Sequence, residues 1–194
     1  SDAADAGGSF FREQAAAICK DGNSVGVIFS EPRPIREWHK HLFKKPTCST
    51  LNDEGVNVVF SKGLAWVFFS SLLTGLALRI RSQMLFKNYV RQFGKPDVIH
   101  AHCSLYGGWA ARMLSKKYSI PYVLTEHSSQ YQLRPVTPFQ KWMVGRVLAG
   151  AKALIAVSNS MAEAMADKFP NSKHKWIVLP NMVHSSFLEF DIAV

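Results

Sequence analysis

Apolar runs and helix-patterned segments alternate along most of this 194-residue chain. Such alternation is typical of βαβ units around a parallel sheet, because each buried strand is followed by a helix that crosses back over the sheet. With 47% hydrophobic and 19% charged residues, the chain can bury a core of ordinary globular size. The sequence therefore predicts an α/β fold with a doubly wound, mostly parallel sheet.

The same pattern gives approximate positions for the elements. Helices are predicted at 9–20, 64–92, 107–118, 138–149 and 159–168, and strands at 24–29, 55–60, 97–101, 120–124, 153–157 and 175–179. The Pro-rich, basic stretch 31–47 is predicted to be a long loop. Only SDAADAGG precedes the first helix, and it is too polar for the central strand that normally begins a doubly wound domain. We therefore expect the first strand of the sheet to be missing.

Charge and cysteine content indicate which partners and which cellular compartment suit this chain. Twenty-three basic and fourteen acidic residues leave a net charge of +9, which attracts nucleotide phosphates, nucleic acid or an anionic membrane face. The cysteines, three in number and without paired spacing, predict a reducing, cytoplasmic compartment. The uncharged run 63–78 is too short to span a bilayer, so we expect a buried helix or one lying on the inner face of the cell membrane.

Candidate site residues are expected beyond the carboxyl ends of the strands, where ligands bind in open parallel sheets. The densest polar cluster is 125–129 (TEHSS), whose groups bind hydroxyls and exchange protons. The alternative is a polar turn in which Ser128 or Ser129 caps a helix. Gly7 and Gly8 precede the first helix, where their amides could approach a phosphate, or they form a tight turn without a ligand.

Further candidates lie at neighbouring strand ends. His100 and His102 alternate on a predicted strand, so both side chains point to one side. No second ligand cluster at zinc-site spacing accompanies them, so we predict no metal. Gly107 and Gly108 favour close packing at the start of a helix. Ser158 is predicted to cap a helix and, in addition, to contact a ligand.

Four segments resemble one known family in order and spacing. They are GGSFFREQAAAI, DVIHAHCSLYGGWAARMLSKKYSIPYVLTEHSS, AKALIAVSNSMAEAM and WIVLPNMV. Together they resemble the amino-terminal, Rossmann-like domain of family 4 glycosyltransferases of the GT-B fold. The resemblance covers nearly the whole chain, and 31–95 is the variable part. It implies transfer of a sugar, with retention of configuration and without a cofactor, from a nucleotide-diphosphate donor to a glycan, lipid or small-molecule acceptor.

The resemblance also implies roles for individual residues. His127 matches the family histidine close to the reacting sugar, and Glu126 flanks it, so we expect these two to be catalytic. Six residues are expected to contact substrate: Gly7, Gly8, His102, Ser128, Ser158 and Asn181. Of these, Gly7 and Gly8 are expected to face the donor phosphates. Met182 and His184 depart from the family, which commonly has Gly and Asp in this stretch.

The resemblance further implies a domain division. Residues 1–181 are expected to be the acceptor-side domain, 182–194 the start of an interdomain linker, and the donor domain to lie outside this chain. The chain alone is then expected to be an inactive part of a hexosyltransferase-type enzyme. GGSFFR lacks the GxGxxG pattern of dehydrogenases.

Two alternatives remain open. A sugar-nucleotide epimerase of the same architecture would epimerise the donor without an acceptor. A basic nucleic-acid-binding module would use the aromatic and basic residues of 38–45, but we expect no nucleic-acid partner because the apolar run that follows suits lipid better than bases.

Overall fold

The computed structural model describes residues 9–33, 47–64, 71–128, 131, 136–172 and 175–182. The helices are α1 (Ser9–Lys20), α2 (Ser71–Phe93), α3 (Trp109–Tyr118), α4 (Pro138–Gly150) and α5 (Asn159–Lys168). The strands are β1 (Gly26–Arg33), β2 (Thr47–Asp53), β3 (Val56–Leu64), β4 (Ile99–His102), β5 (Tyr122–Glu126), β6 (Leu154–Ala156) and β7 (Trp176–Val178). This mixed α/β architecture confirms the predicted fold class.

The described strands form two sheets. One has the order β4-β5-β6-β7 and is parallel throughout, as the βα alternation predicts. The other has the order β1-β3-β2, in which β1 runs parallel and β2 antiparallel to β3. Within the four-stranded sheet His102 pairs with Thr125, and Glu126 pairs with Ala156. The carboxyl ends of β4 and β5 therefore lie side by side.

Several predicted boundaries were wrong. Strands β1 and β3 end at Arg33 and Leu64, each four residues later than predicted, because the two strands pair in parallel along this length, so the predicted loop does not begin at 31. Thr47–Asp53 is a strand, although the stretch ending at Thr47 was predicted to be a loop. Its sequence has weak strand propensity, with Leu51 as its one large aliphatic residue, but pairing with β3 stabilises it. Strand β5 ends at Glu126, two residues later than predicted, because its last residues pair with β6. The helix predicted over 64–92 is described as Ser71–Phe93, and residue 64 belongs to β3; residues 65–70 lie outside the described ranges.

Helix α2 packs against both sheets. Leu85 and Tyr89 of α2 are buried against Val59 of β3. Phe86 lies in a cluster that also contains Ile28 of β1 and Ile99 of β4. Strands β1 and β4 thus share a core, but among the described residues no hydrogen-bonded ladder joins them.

A tight connection follows β4. A π-helical turn, Ser104–Gly108, leads directly into α3. A side chain at Gly107 would overlap the carbonyl oxygen of His102, and one at Gly108 would lie 2.7 Å from Cγ1 of Val147. The packing role predicted for these glycines is therefore confirmed. They allow the chain to turn back immediately after His102.

Candidate active site

Three histidines cluster at the carboxyl ends of β4 and β5. The rings of His100 and His102 are 4.4 Å apart, as expected for alternate residues that point to one side of a strand. Nδ1 of His102 lies 3.0 Å from Nε2 of His127, so one ring donates a hydrogen bond to the other. Nε2 of His100 lies 2.7 Å from Oγ1 of Thr125. Phe11 of α1 packs edge-on against both rings of the His102–His127 pair, at 4.6 and 5.1 Å.

Burial keeps this cluster neutral near pH 7. Burial, followed by the neighbouring His100 and His127, lowers the pKa of His102 to about 3. Burial also lowers the pKa of His100. For His127, burial lowers the pKa, a hydrogen bond with the Asn181 side chain opposes the shift, and His100 adds to it. Neutral imidazoles can donate one hydrogen bond and accept another, which suits contact with sugar hydroxyls.

Glu126 directly precedes His127 and has no exposed surface. Its Oε2 accepts from the backbone N–H of Ser104 at 2.8 Å and from the Ser104 hydroxyl at 2.5 Å. Its Oε1 accepts from the N–H groups of His127 at 3.1 Å and Ser128 at 2.9 Å. The Ser104 hydroxyl also lies 2.7 Å from the hydroxyl of Tyr131. In this conformation the Glu126 carboxylate holds the protein backbone and has no surface with which to contact a substrate.

A pocket of about 140 Å³ opens beside His127. It is lined by Gln14, Thr125, His127, Ile155, Leu179, Pro180, Asn181 and Met182. Gln14 was missed by sequence reasoning, because only the packing of α1 brings it to this edge of the sheet. The spacing of Gln14 after Phe10 and Phe11 gives no signal of such a role.

The remaining predicted site residues have different placements. Ser158 caps α5 by accepting from the N–H of Met161 at 3.2 Å, which confirms the capping prediction. Ser128 is half-buried next to His127, and Asn181 is exposed in the lining of the pocket. Gly7 and Gly8 lie outside the described residues.

Metal ligation finds no support in the described part of the chain. No group of three His, Cys, Asp or Glu side chains there has a geometry that could hold an ion. His102 and His127 instead use one nitrogen each on the other ring. The three cysteines, Cys19, Cys48 and Cys103, are free thiols.

The parallel sheet defines an α/β domain, and the neutral histidines and the pocket lie at its carboxyl edge, where doubly wound folds bind ligands. The sequence matches the model of Glycosyltransferase Family 4 over residues 8–187. The chain therefore belongs to this family.

Two relatives are similar over shorter segments. TuaC of Bacillus subtilis (strain 168), named as a teichuronic acid biosynthesis glycosyltransferase, is 37% identical over 71 residues, which cover 35% of this chain and 18% of the relative. The alpha-maltose-1-phosphate synthase of Mycobacterium tuberculosis (strain ATCC 25618 / H37Rv) is 32% identical over 98 residues, or 45% of this chain and 22% of that enzyme. The matched segments thus span about a fifth of these relatives.

Proposed function

We propose that this chain is the acceptor-side domain of a hexosyltransferase that moves a sugar from a nucleotide-diphosphate donor to a glycan, lipid or small-molecule acceptor, with retention of configuration. The observation that supports this most is the His102–His127 pair, of which His127 lines the pocket, in a chain of this family. The donor is proposed to be held mainly by a second domain, which faces the carboxyl edge of the sheet.

His127 is the proposed catalytic contact. Its ring lines the pocket, packs edge-on against Phe11 and is hydrogen-bonded to His102. As the donor bond breaks, an oxocarbenium-like sugar and a departing diphosphate develop charge together, so a fixed hydrogen bond to a sugar hydroxyl accelerates the reaction when it strengthens in the transition state. Ser128 and Asn181, which lie beside His127, are proposed to contact substrate, and Ser158, exposed at the cap of α5, is proposed to do so as well. Glu126 is proposed to act on the reaction through His127.

The test is His127→Ala in the full-length protein. Release of nucleoside diphosphate from a panel of UDP-, GDP- and ADP-hexoses, in the presence of oligosaccharide and lipid-linked acceptors, gives kcat/KM. We expect a loss of roughly 100- to 1000-fold, or about 3 to 4 kcal/mol of barrier, in a variant that remains folded at the assay temperature. Glu163→Ala, an exposed change on α5, is the control and should be near wild type. Retention of more than about a tenth of wild-type kcat/KM would show that His127 is part of a polar turn and has no catalytic role.

Two further measurements separate the finer claims. The anomeric configuration of the product, read by NMR, tests retention directly. Incubation of the donor alone distinguishes transfer from epimerisation, because an epimerase converts the donor sugar without any acceptor.

Peripheral attachment to an anionic membrane is proposed for the surface of α2. No helix in the described ranges combines the length and the apolarity needed to cross a bilayer. On α2, Leu76 and Ile80 are 53% and 62% exposed one turn apart, and the exposed Arg79 lies between them. An exposed apolar pair beside a cation suits the headgroup region of an anionic leaflet, where each basic residue contributes about 1 kcal/mol.

Cosedimentation with phosphatidylglycerol vesicles tests this attachment. Ile80→Ser should reduce the bound fraction severalfold at low salt, whereas Val98→Ser, which changes an apolar residue of similar exposure outside α2, should not. Equal binding of both variants would contradict the proposal.

A further inference from the structure

Resting on the proposed role of His127, we propose that Ser104, Glu126 and Tyr131 form a buried clamp that positions the histidine pair. The three side chains are 0%, 0% and 1% exposed, so they are enclosed in the core. A buried carboxylate is costly unless its oxygens are hydrogen-bonded, and Glu126 accepts from four donors. The hydrogen bonds of the Glu126 carboxylate are therefore satisfied by the protein itself, without a substrate.

The direction of each hydrogen bond in this clamp follows from the contacts. The Ser104 hydroxyl donates its one hydrogen to Oε2 of Glu126, so it can only accept from the Tyr131 hydroxyl. Tyr131 thus donates to Ser104, and Ser104 donates to Glu126. Chains of this kind strengthen each bond by polarising the next.

The clamp joins the segments that follow β4 and β5, next to the two histidines. Ser104 lies two residues after His102, and Glu126 directly precedes His127. One carboxylate oxygen binds the loop after β4, while the other binds the amides of the turn after β5. One buried side chain thus adds to the pairing of β4 with β5 in fixing the relative position of His102 and His127, whose ring nitrogens are 3.0 Å apart.

The backbone after β4 is strained at one residue, which indicates that the clamp helps to hold this segment in place. Cys103, between His102 and Ser104, has φ of 62°, in the left-handed region that a non-glycine residue rarely adopts. Such conformations persist when the surroundings over-determine them. Here the Cys103 N–H donates to the Thr125 carbonyl at 2.9 Å, and the next residue, Ser104, is held by Glu126.

A double-mutant cycle tests positioning against a general structural role. Ser104→Ala should lower kcat/KM by about tenfold when His127 is present and by less than about twofold in a His127→Ala background, because the clamp acts through that ring. Ser172→Ala is the matched control, since it removes another buried serine hydroxyl, bonded to the Phe169 carbonyl at 2.7 Å, far along the chain from the pair. The same loss in both His127 backgrounds would overturn the proposal.

Amide hydrogen exchange read by NMR provides a measurement that needs no substrate. Ser104→Ala should speed exchange at the amides of His127 and Ser128 by at least about tenfold relative to Ser172→Ala, with smaller changes elsewhere. Tyr131→Phe, which removes only the outer donor, should do the same to a lesser degree and serves if Ser104→Ala fails to fold. Unchanged exchange at these amides in the folded variants would refute the clamp. If His127→Ala leaves activity intact, the proposed function fails, while the exchange measurement still decides the clamp.

Discussion

Acidification should destabilise this fold through its neutral histidines. His102 has a pKa of about 3 in the folded chain against about 6.5 when unfolded, because burial and two neighbouring imidazoles oppose its charge. The unfolded chain therefore binds more protons between these values, so stability is highest above pH 6.5 and falls as the pH drops towards 3.

The size of this loss follows from the two pKa values. Below pH 6.5 each unit costs up to about 1.4 kcal/mol, which gives about 2 kcal/mol between pH 8 and pH 5 for His102 alone. Since the ring is only partly buried, solvent screening reduces this to about 1 to 2 kcal/mol. His100 and His127, whose pKa values are also lowered, act in the same direction.

Urea unfolding followed by tryptophan fluorescence at pH 8 and pH 5 measures the effect. His102→Gln, which keeps a polar side chain but does not titrate, is the comparison, because all other titrating groups contribute to both proteins. Wild type should lose about 1 to 2 kcal/mol more than the variant on going to pH 5. An equal loss in both proteins would show that His102 is not held neutral by the fold.

Further predictions concern two glycines, two cysteines and one helix cap. Gly107→Ala should destabilise by about 1 to 3 kcal/mol in thermal unfolding because its methyl group meets the backbone, whereas Gly145→Ala, in open space within α4, should stabilise by about 0.5 to 1 kcal/mol. Iodoacetamide at pH 8, followed by mass spectrometry, should modify exposed Cys48 at least roughly tenfold faster than Cys103, whose pKa burial and the Glu126 charge raise to about 11. Thr137→Ala should cost about 1 kcal/mol in urea unfolding by removing the capping box of α4.

The sequence was sufficient for those features that depend on local pattern. Strand alternation placed His100 and His102 on one side, and the predicted capping serine, Ser158, does cap α5. Helix α1 was predicted with the bounds that it has in the structure, Ser9–Lys20. In each case the physical cause acts over a few residues.

The parts that could not be predicted depend on contacts between distant segments. The bond between Ser104 and Glu126, and the approach of Gln14 to the pocket, require the strand order and the packing of α1. Strand β2 was missed for the same reason, since its pairing with β3 is tertiary. The predicted absence of a central strand stays a prediction. In the described residues β1 and β4 share a core but no hydrogen-bonded ladder joins them, which is compatible with it.

Charge distribution bears on which part of the reaction this pocket serves. The chain carries a net charge of +9, yet none of the eight residues that line the pocket is lysine or arginine, and the pKa of His127 is lowered. A diphosphate needs cations or several backbone N–H donors to replace its hydration, whereas sugar hydroxyls need only neutral donors and acceptors. Because His127, Asn181 and Gln14 supply neutral groups, the pocket is better suited to hydroxyls than to the diphosphate. This supports the proposed division in which the described part of this domain orients the sugar and the acceptor while the donor phosphates are bound elsewhere.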